Sequence, residues 1–317
     1  MKRLLKSLLF VALLAGAAAS SLAGATEGAP HFLVFTASYG FQHDGVQEAV
    51  AEIQRMSAET GAFTVEVTDD AAAFAPATYQ RVDGVVLVNT TGLGGGSSPL
   101  TAEQKEDFLG FFACGAGLVG VHAAADSGGD WPEFDALLGS YGFDAHPHYS
   151  LEARDNPLGR NAFNPAVITD VTVQVEDPDH PTTRPWQGFD SFRLTDEIYR
   201  YKGDPRSDPS LHVVLSLDEE SHYWRREIGL GPAAGGLAPS IPNPVPNPLN
   251  MLPPTAFPDA NPIAWVKTYG ANNGRVFYTN LGHNMATWER ADFQGHLFAG
   301  LGWVAGQRPD AACVAGL

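Results

Sequence analysis

Histidine occurs at three points where an apolar run of the sequence gives way to small or polar residues. His122 directly follows such a run, and His43 lies in the segment after the first run. His283 lies just past the run at residues 276–280 (VFYTN). Neutral imidazole takes up a proton, releases one or binds a metal near neutral pH. These residues are therefore candidates for acid/base or metal chemistry.

The segment around His122 is the most informative. Residues 117–121 (GLVGV) have the apolar character of a buried strand, and small residues after His122 allow the sharp turn that presents a reactive side chain. Asp126 follows four residues later and shares a face with His122 if the segment is helical. The carboxylate would then orient the ring or join it on a metal. The alternative is a core histidine with satisfied hydrogen bonds and an aspartate that caps a helix.

Two further patterns offer ligands or acid/base groups. Asp196 and Glu197 are adjacent carboxylates followed by an aromatic residue, a common pattern that is weak on its own. His146 and His148 flank a proline and form either a metal-binding pair or a turn.

The elements that position these residues follow an α/β order. Continuous apolar runs predict buried strands at residues 31–38, 82–88 and 117–121, and alternation predicts one at 63–67. Helices are predicted from Asp44 and from Thr101, where Gln104 completes a capping box. This order predicts a doubly wound, mostly parallel sheet of flavodoxin-like type. Such a sheet binds its ligand beyond the carboxyl ends of the strands, here in the loops at residues 38–44, 89–98 and 122–131.

The second half is less regular, and one domain over residues 26–317 is expected. A proline-rich stretch at about 229–262 is predicted to be a loop insertion. Strands are predicted at residues 167–175, 211–217, 263–269 and 275–280, with a closing helix at 292–304.

Residues 1–25 have the order of a secretory signal peptide: a basic start, an apolar run at 8–19 and a small-residue cleavage site ending at Ala25. Cleavage moves the formal charge from −17 to 16 − 36 = −20. So acidic a chain repels nucleic acid and anionic lipid. We therefore expect a secreted or periplasmic protein with no nucleic-acid partner and no membrane association after cleavage.

Only two cysteines are present, Cys114 and Cys313. Two are too few for a disulfide-rich scaffold or a cysteine metal cluster. In an oxidising compartment they form either a single bridge or two unrelated thiols.

Several of these segments together resemble the ThuA-like family, named for trehalose utilisation, a branch of the class I glutamine amidotransferase-like fold. The matching stretches are TASYGFQHDGV, GAGLVGVHAAADS with DWPEF, VEDPDHP, TDEIY, NPIAW and GRVFYTNLGHN, in that order. The resemblance implies a site of His43, His122, Asp126, Glu197 and His283.

Two departures accompany the resemblance. Asn261 stands where the family pattern leads us to expect histidine, and the proline-rich insertion is longer than usual. The turn that holds cysteine in glutamine amidotransferases holds His122 here, so thiol-dependent glutamine hydrolysis is disfavoured.

The resemblance implies an exported enzyme that processes a small carbohydrate, a glucoside or an oxidised (keto) disaccharide. His122 would be the acid/base or a metal ligand, and Asp126 would orient it, while Glu197 would join them in catalysis. His43 and His283 would bind substrate or, with His122, a divalent metal such as zinc; Tyr39 or Trp131 would stack on the sugar. The alternatives are a sugar-binding module without turnover and a structural or adhesion protein.

Overall fold

The structure is a computed structural model that describes residues 28–145, 168–218 and 261–317. The predicted signal peptide, the His146 and His148 pair and the proline-rich stretch up to residue 260 lie outside these ranges. In the part of the chain that is described, no helix combines the length and apolarity that a membrane span requires.

Eleven strands are formed by the described residues. The first four confirm the predicted apolar segments: β1 His31–Phe35, β2 Thr64–Thr68, β3 Gly84–Val88 and β4 Gly117–Val121. The others are β5 Phe143–Ala145, β6 Ile168–Val175, β7 Ser191–Glu197, β8 Arg200–Tyr201, β9 Leu211–Leu217, β10 Pro262–Tyr269 and β11 Gly274–Thr279.

Nine of these strands form one sheet in the order β2-β1-β3-β4-β11-β10-β9-β6-β7, and β5 pairs with β8 separately. The pairs from β2 to β11 are parallel. The four pairs from β11 to β7 in the sheet order are antiparallel. The α/β class is confirmed, but the sheet is mixed, with four parallel and four antiparallel pairs, rather than mostly parallel.

The α-helices within the described ranges are α1 Val46–Thr60, α2 Pro76–Tyr79, α3 Ala102–Ala113, α4 Pro132–Leu138, α5 Met285–Trp288, α6 Ala291–Ala305 and α7 Ala311–Val314. The predicted capping box forms at α3, where the Thr101 side chain accepts from Gln104 N and Gln104 accepts from Thr101 N. Asp44 does not cap α1. Gly45 takes that position in a left-handed conformation that glycine adopts without a steric penalty.

Both faces of the central strands are covered. Along β3, Val85 and Leu87 belong to one apolar cluster and Val86 and Val88 to the other. Continuous apolar sequence is what burial on both faces demands. Since helices and loops cover the faces, the carboxyl edge of the sheet is where polar side chains converge.

The two cysteines form a disulfide, with Cα atoms 5.6 Å apart. Cys114 ends α3 and Cys313 lies in α7, so the bridge ties the carboxyl-terminal tail to the amino end of β4. Asp310 N donates to the Cys114 carbonyl at 2.8 Å beside it. Of the two alternatives, a single bridge or two unrelated thiols, the structure has the single bridge.

Candidate metal centre

Four side chains meet at the carboxyl edge of the sheet: His43, His122, Glu197 and His283. One donor atom from each lies within 4.8 Å of all the others. His43 comes from the loop after β1, His122 follows β4, and His283 follows β11. Glu197 ends β7, which runs in the same direction as β11 because an even number of antiparallel steps separates them. The convergence expected from the strand ends is therefore present.

His122 is completely buried and has a backbone φ of 47°. Few residues other than glycine adopt this left-handed conformation, and it recurs at functional turns. The backbone is held there because Tyr278 OH donates to the His122 carbonyl at 2.9 Å. The turn directs the imidazole toward the other three donors.

The protonation of the His122 ring follows from its partners. Nδ1 lies 2.7 Å from the main-chain carbonyl of Asn280, which can only accept, so Nδ1 carries a proton. In the neutral ring, Nε2 then holds a lone pair. This lone pair faces Glu197 Oε2 at 3.0 Å, another acceptor.

His283 completes a tight triangle with these two atoms. Its Nδ1 lies 2.8 Å from Glu197 Oε2 and 3.1 Å from His122 Nε2. Burial lowers the pKa of His283, but the hydrogen bond and charge of Glu197, together with the charges of Asp196 and Asp44, leave that pKa raised. Three acceptor-capable atoms at these distances require a shared proton or a cation between them.

His43 closes the outer side of the group. Its ring packs edge-on against His122 and His283, with centroids 5.2 and 5.1 Å away, and its Nε2 is 3.4 Å from the hydroxyl of Tyr199. The His283 side chain is 21% exposed and that of Glu197 4%. Solvent therefore reaches the group from the side of His43 and His283, not from the side of His122.

The donor set fits a divalent metal. Three imidazoles and a carboxylate are ligands that zinc takes in proteins. A metal-binding histidine commonly donates its second ring N–H to a carbonyl or carboxylate, which fixes the tautomer. His122 makes that bond to Asn280 O. The predicted set of His43, His122 and His283 is thus complemented by Glu197.

Asp196 holds the loop that carries His283. This fully buried carboxylate accepts from Gly282 N at 2.8 Å, Asn284 N at 2.9 Å and Thr287 Oγ1 at 3.0 Å. Burial raises the pKa of Asp196. Asp196 and Glu197 are adjacent in the sequence pattern but have different tasks, since successive side chains of a strand point to opposite sides.

Asn280 also links parts of the site, and its sequence pattern was not informative. Besides the carbonyl bound to His122, its side-chain oxygen accepts from Tyr199 N at 3.0 Å, and its amide donates to Tyr199 O and to Tyr201 OH. Asn261, the departure noted above, is buried and donates to the same Tyr199 carbonyl at 3.0 Å. Its position as the residue after a buried strand was the only signal that could have singled out Asn280.

Asp126 does not orient His122. Both ring nitrogens are engaged by Asn280, Glu197 and His283 instead, because the turn after His122 continues as a 3₁₀ helix rather than an α-helix. Burial raises the pKa of Asp126 to about 6, with Lys202 lowering it and Glu197 raising it. Asp126 is therefore a carboxyl group poised near neutrality beside the centre.

The sugar-stacking role predicted for Trp131 is wrong. Only 4% of this residue is exposed, and its ring packs against Phe108 and Phe134 in an apolar cluster. Tyr39 packs against the same cluster, and burial, Asp70 and Asp69 raise the pKa of its hydroxyl. A stacking role stays a prediction for Tyr39 alone.

Comparison with known proteins identifies the family of the chain. The ThuA family, described as trehalose utilisation, matches residues 31–304. The chain belongs to the ThuA family. A search of curated proteins gives no match.

Two solved structures of ThuA-like proteins share this fold. A ThuA-like protein from Bacteroides uniformis has a TM-score of 0.59 and 20% identity over 88% of this chain and 93% of its own. Another from Parabacteroides merdae has a TM-score of 0.53 and 18% identity over 87% and 90%. The glutaminase domain of Trypanosoma brucei CTPS aligns with a TM-score of 0.45 and 8% identity over 86% of this chain and 94% of its own.

Proposed function

We propose that this ThuA-family chain is an exported carbohydrate-processing enzyme whose centre is a divalent metal, such as zinc, held by His43, His122, Glu197 and His283. The observation that carries the proposal is the convergence of these four donors within 4.8 Å. A module that only binds sugar needs aromatic platforms and amides, and it gains nothing from a lone pair of His122 opposed to a carboxylate.

The metal would polarise a substrate oxygen or activate a bound water. The protein groups have separate tasks. Asn280 fixes His122 in the tautomer with Nε2 free to ligate. Asp126, with a pKa raised to about 6, can give or take a proton near neutral pH.

The family description, trehalose utilisation, supports a glucose disaccharide as the proposed substrate class. The proposal includes the oxidised (keto) form of that disaccharide. Proton abstraction next to a carbonyl and metal-assisted hydrolysis both use one metal and one carboxyl group. The keto form is needed only for the first.

Export is supported by two independent features. Residues 1–25 have the sequence of a signal peptide. The Cys114–Cys313 bridge is of the kind that persists in oxidising compartments.

The test is metal analysis of the purified protein, followed by incubation with trehalose and with trehalose carrying one ring ketone. We expect about one zinc per chain and turnover of at least one sugar. His122→Ala should lose zinc and turnover, while His212→Ala, which removes an exposed histidine paired with Asp177, should keep both. Sugar binding without turnover in the zinc-loaded protein would instead identify a binding module.

A further inference from the structure

The ring of Phe41 is exposed at the open side of the centre. It is 63% exposed, among the most exposed large apolar side chains that the structure describes. Its edge contacts His43, with ring centroids 4.9 Å apart and planes at 83°. An apolar ring in water beside a group of titratable ligands has no role in the core.

The exposure of Phe41 is not the result of a loose loop. The buried Thr91 donates its hydroxyl to the Phe41 carbonyl at 2.9 Å, and its own carbonyl accepts from Tyr39 N at 2.8 Å. Between them, Gly40 lies so close that an added Cβ would sit 2.8 Å from Thr91 Oγ1. The backbone that carries Phe41 is therefore fixed on the loop after β3.

A second exposed apolar side chain follows His283. Met285 is 45% exposed and lies against Gly45, where an added Cβ would be 3.0 Å from Met285 Cγ. Phe41, in the loop after β1, and Met285, the first residue of α5, thus each lie two residues from a histidine of the centre. A polar centre with an apolar border matches a ligand that has hydroxyl groups along its edge and C–H bonds on its face.

We propose that Phe41 is a specificity-determining residue that stacks on the C–H face of a hexopyranose ring, with Met285 bordering the same ring. The inference rests on the proposed function, because it names the wall against which the sugar is held. Fixed aromatic rings provide large contact areas at small entropic cost. Phe41 is thereby proposed for a stacking role that the sequence analysis expected of Tyr39 or Trp131.

The test compares Phe41→Ala, Phe41→Trp and the control Phe189→Ala in the zinc-loaded protein. Phe189 is 65% exposed on a turn before β7 and serves as the matched exposed phenylalanine. The probes are trehalose and its mono-keto form, measured as Kd by calorimetry and as KM and kcat where turnover occurs. We expect Phe41→Ala to raise Kd and KM about 3- to 10-fold with kcat little changed, and Phe41→Trp to restore them.

Three results would overturn the inference, each in a different way. Equal Kd for wild type, Phe41→Ala and Phe189→Ala would exclude the stacking role and leave the proposed function standing. Loss of zinc affinity in Phe41→Ala would show that Phe41 acts by supporting His43. Absence of both binding and turnover of either sugar by the zinc-loaded wild type would remove the proposed function, and this inference with it.

Discussion

At the scale of single residues, the centre is defined by where protons can reside. Glu197 Oε2 lies between His122 Nε2 and His283 Nδ1, and the Asn280 carbonyl has already fixed the other proton of His122. A carboxylate in this place contributes both a ligand atom and the negative charge that two or three neutral imidazoles lack. Glu197 Oε2 would therefore supply both the negative charge of the centre and one of its ligand positions.

Glu197→Gln should weaken zinc binding with little change in fold, because glutamine keeps the shape but removes the charge. We expect the Kd for zinc to rise at least about 10- to 100-fold, the range reported when ligand-supporting groups are lost. Competition with a chromogenic chelator measures it. Glu176→Gln, which removes a carboxylate paired with Arg206 elsewhere, is the control. Equal zinc affinity in the two variants would exclude Glu197 as a ligand.

His296 should make stability depend on pH. It is fully buried in α6, its Nδ1 donates to Thr182 O at 2.7 Å, and Nε2 has no hydrogen-bond partner among the described residues. Burial lowers the pKa of His296 to about 4, with His180 lowering it further and the Thr182 carbonyl and Asp292 raising it. The unfolded chain, with a pKa of about 6.5, takes up this proton first. Stability is therefore present above pH 6.5 and is lost as pH falls toward 4.

The size of this effect is about 2–3 kcal/mol between pH 7.5 and 4.5. Urea unfolding at both pH values measures the free energy of unfolding. The decrease in this free energy on acidification should be about 2–3 kcal/mol smaller in His296→Gln than in the wild type. His212→Gln, at an exposed histidine, should follow the wild type. The same acid sensitivity in all three proteins would refute the assignment to His296.

Residue types and positions could identify three of the four donors but not the residues that support them, and Glu197 was implied only by the family resemblance. His43, His122 and His283 were found because each lies just past an apolar run. Trp131 was expected at the sugar site because it lies near a glycine-rich turn. An aromatic residue in such a sequence occurs in protein cores as well as at sugar sites, and Trp131 lies in the core. Asn280 gave only the weak signal of its position after a buried strand, because its bond to His122 is made by a main-chain carbonyl that residue type does not reveal.

At the scale of elements, the prediction was accurate where burial on both faces produced continuous apolar sequence. The bounds of β4 match those predicted, and β1 and β3 lie within the predicted segments. β7 was missed because it is an edge strand, with exposed Ser191 and Arg193 alternating with inward residues. Its carboxyl end brings Glu197 to the site, so the element that sequence reasoning missed supplies one of the four ligands.

Asp196 should be more important for stability than any one of its partners, because it fixes the loop before α5 through three bonds. Asp196→Ala leaves the buried donors Gly282 N and Thr287 Oγ1, and the part-buried Asn284 N, without this acceptor, and should cost about 3 kcal/mol or more. Thr287→Val removes one of these bonds and should cost about 1 kcal/mol. Urea unfolding measures both. Equal losses would mean that the loop is held by other contacts.

The same pair of variants separates stability from the metal centre. His283 lies inside the loop that Asp196 holds, between Gly282 and Asn284. Zinc affinity should therefore fall more in Asp196→Ala than in Thr287→Val, measured by chelator competition on protein that is folded by circular dichroism. An unchanged affinity in Asp196→Ala would show that the ligands themselves, not the loop, set the position of His283.

At the scale of the whole molecule, the antiparallel half of the sheet is what completes the centre. The parallel strands β1, β4 and β11 place three histidines at their carboxyl ends but contribute no carboxylate to the group of four donors. Beyond β11 the sheet continues with the antiparallel strands β10, β9, β6 and β7. The last of these, β7, ends at Glu197 and brings it to the same side of the sheet as the three histidines. Strand order is a long-range property, so sequence patterns within one segment could not predict it.

The disulfide lies at the opposite end of this arrangement. Cys114 precedes β4 and His122 follows it, so they are separated by a five-residue strand, roughly 16 Å at about 3.3 Å per residue. The bridge closes a loop of 199 residues and holds a tail whose Leu317 side chain lies against Gly110. Its contribution is therefore to the stability of the molecule and not to the geometry of the centre.

Cys114→Ser combined with Cys313→Ser should lower the free energy of unfolding by roughly 2–5 kcal/mol, because the unfolded chain gains the freedom that the bridge removes. Reduction of the wild type should give the same loss. Zinc affinity, measured under conditions in which the variant is folded, should not change. The bridge lies at the amino end of β4, whereas the ligands lie in loops at the carboxyl ends of the strands. A fall in zinc affinity equal to that of Glu197→Gln, with the protein still folded, would show that the tail and the centre are coupled through β4.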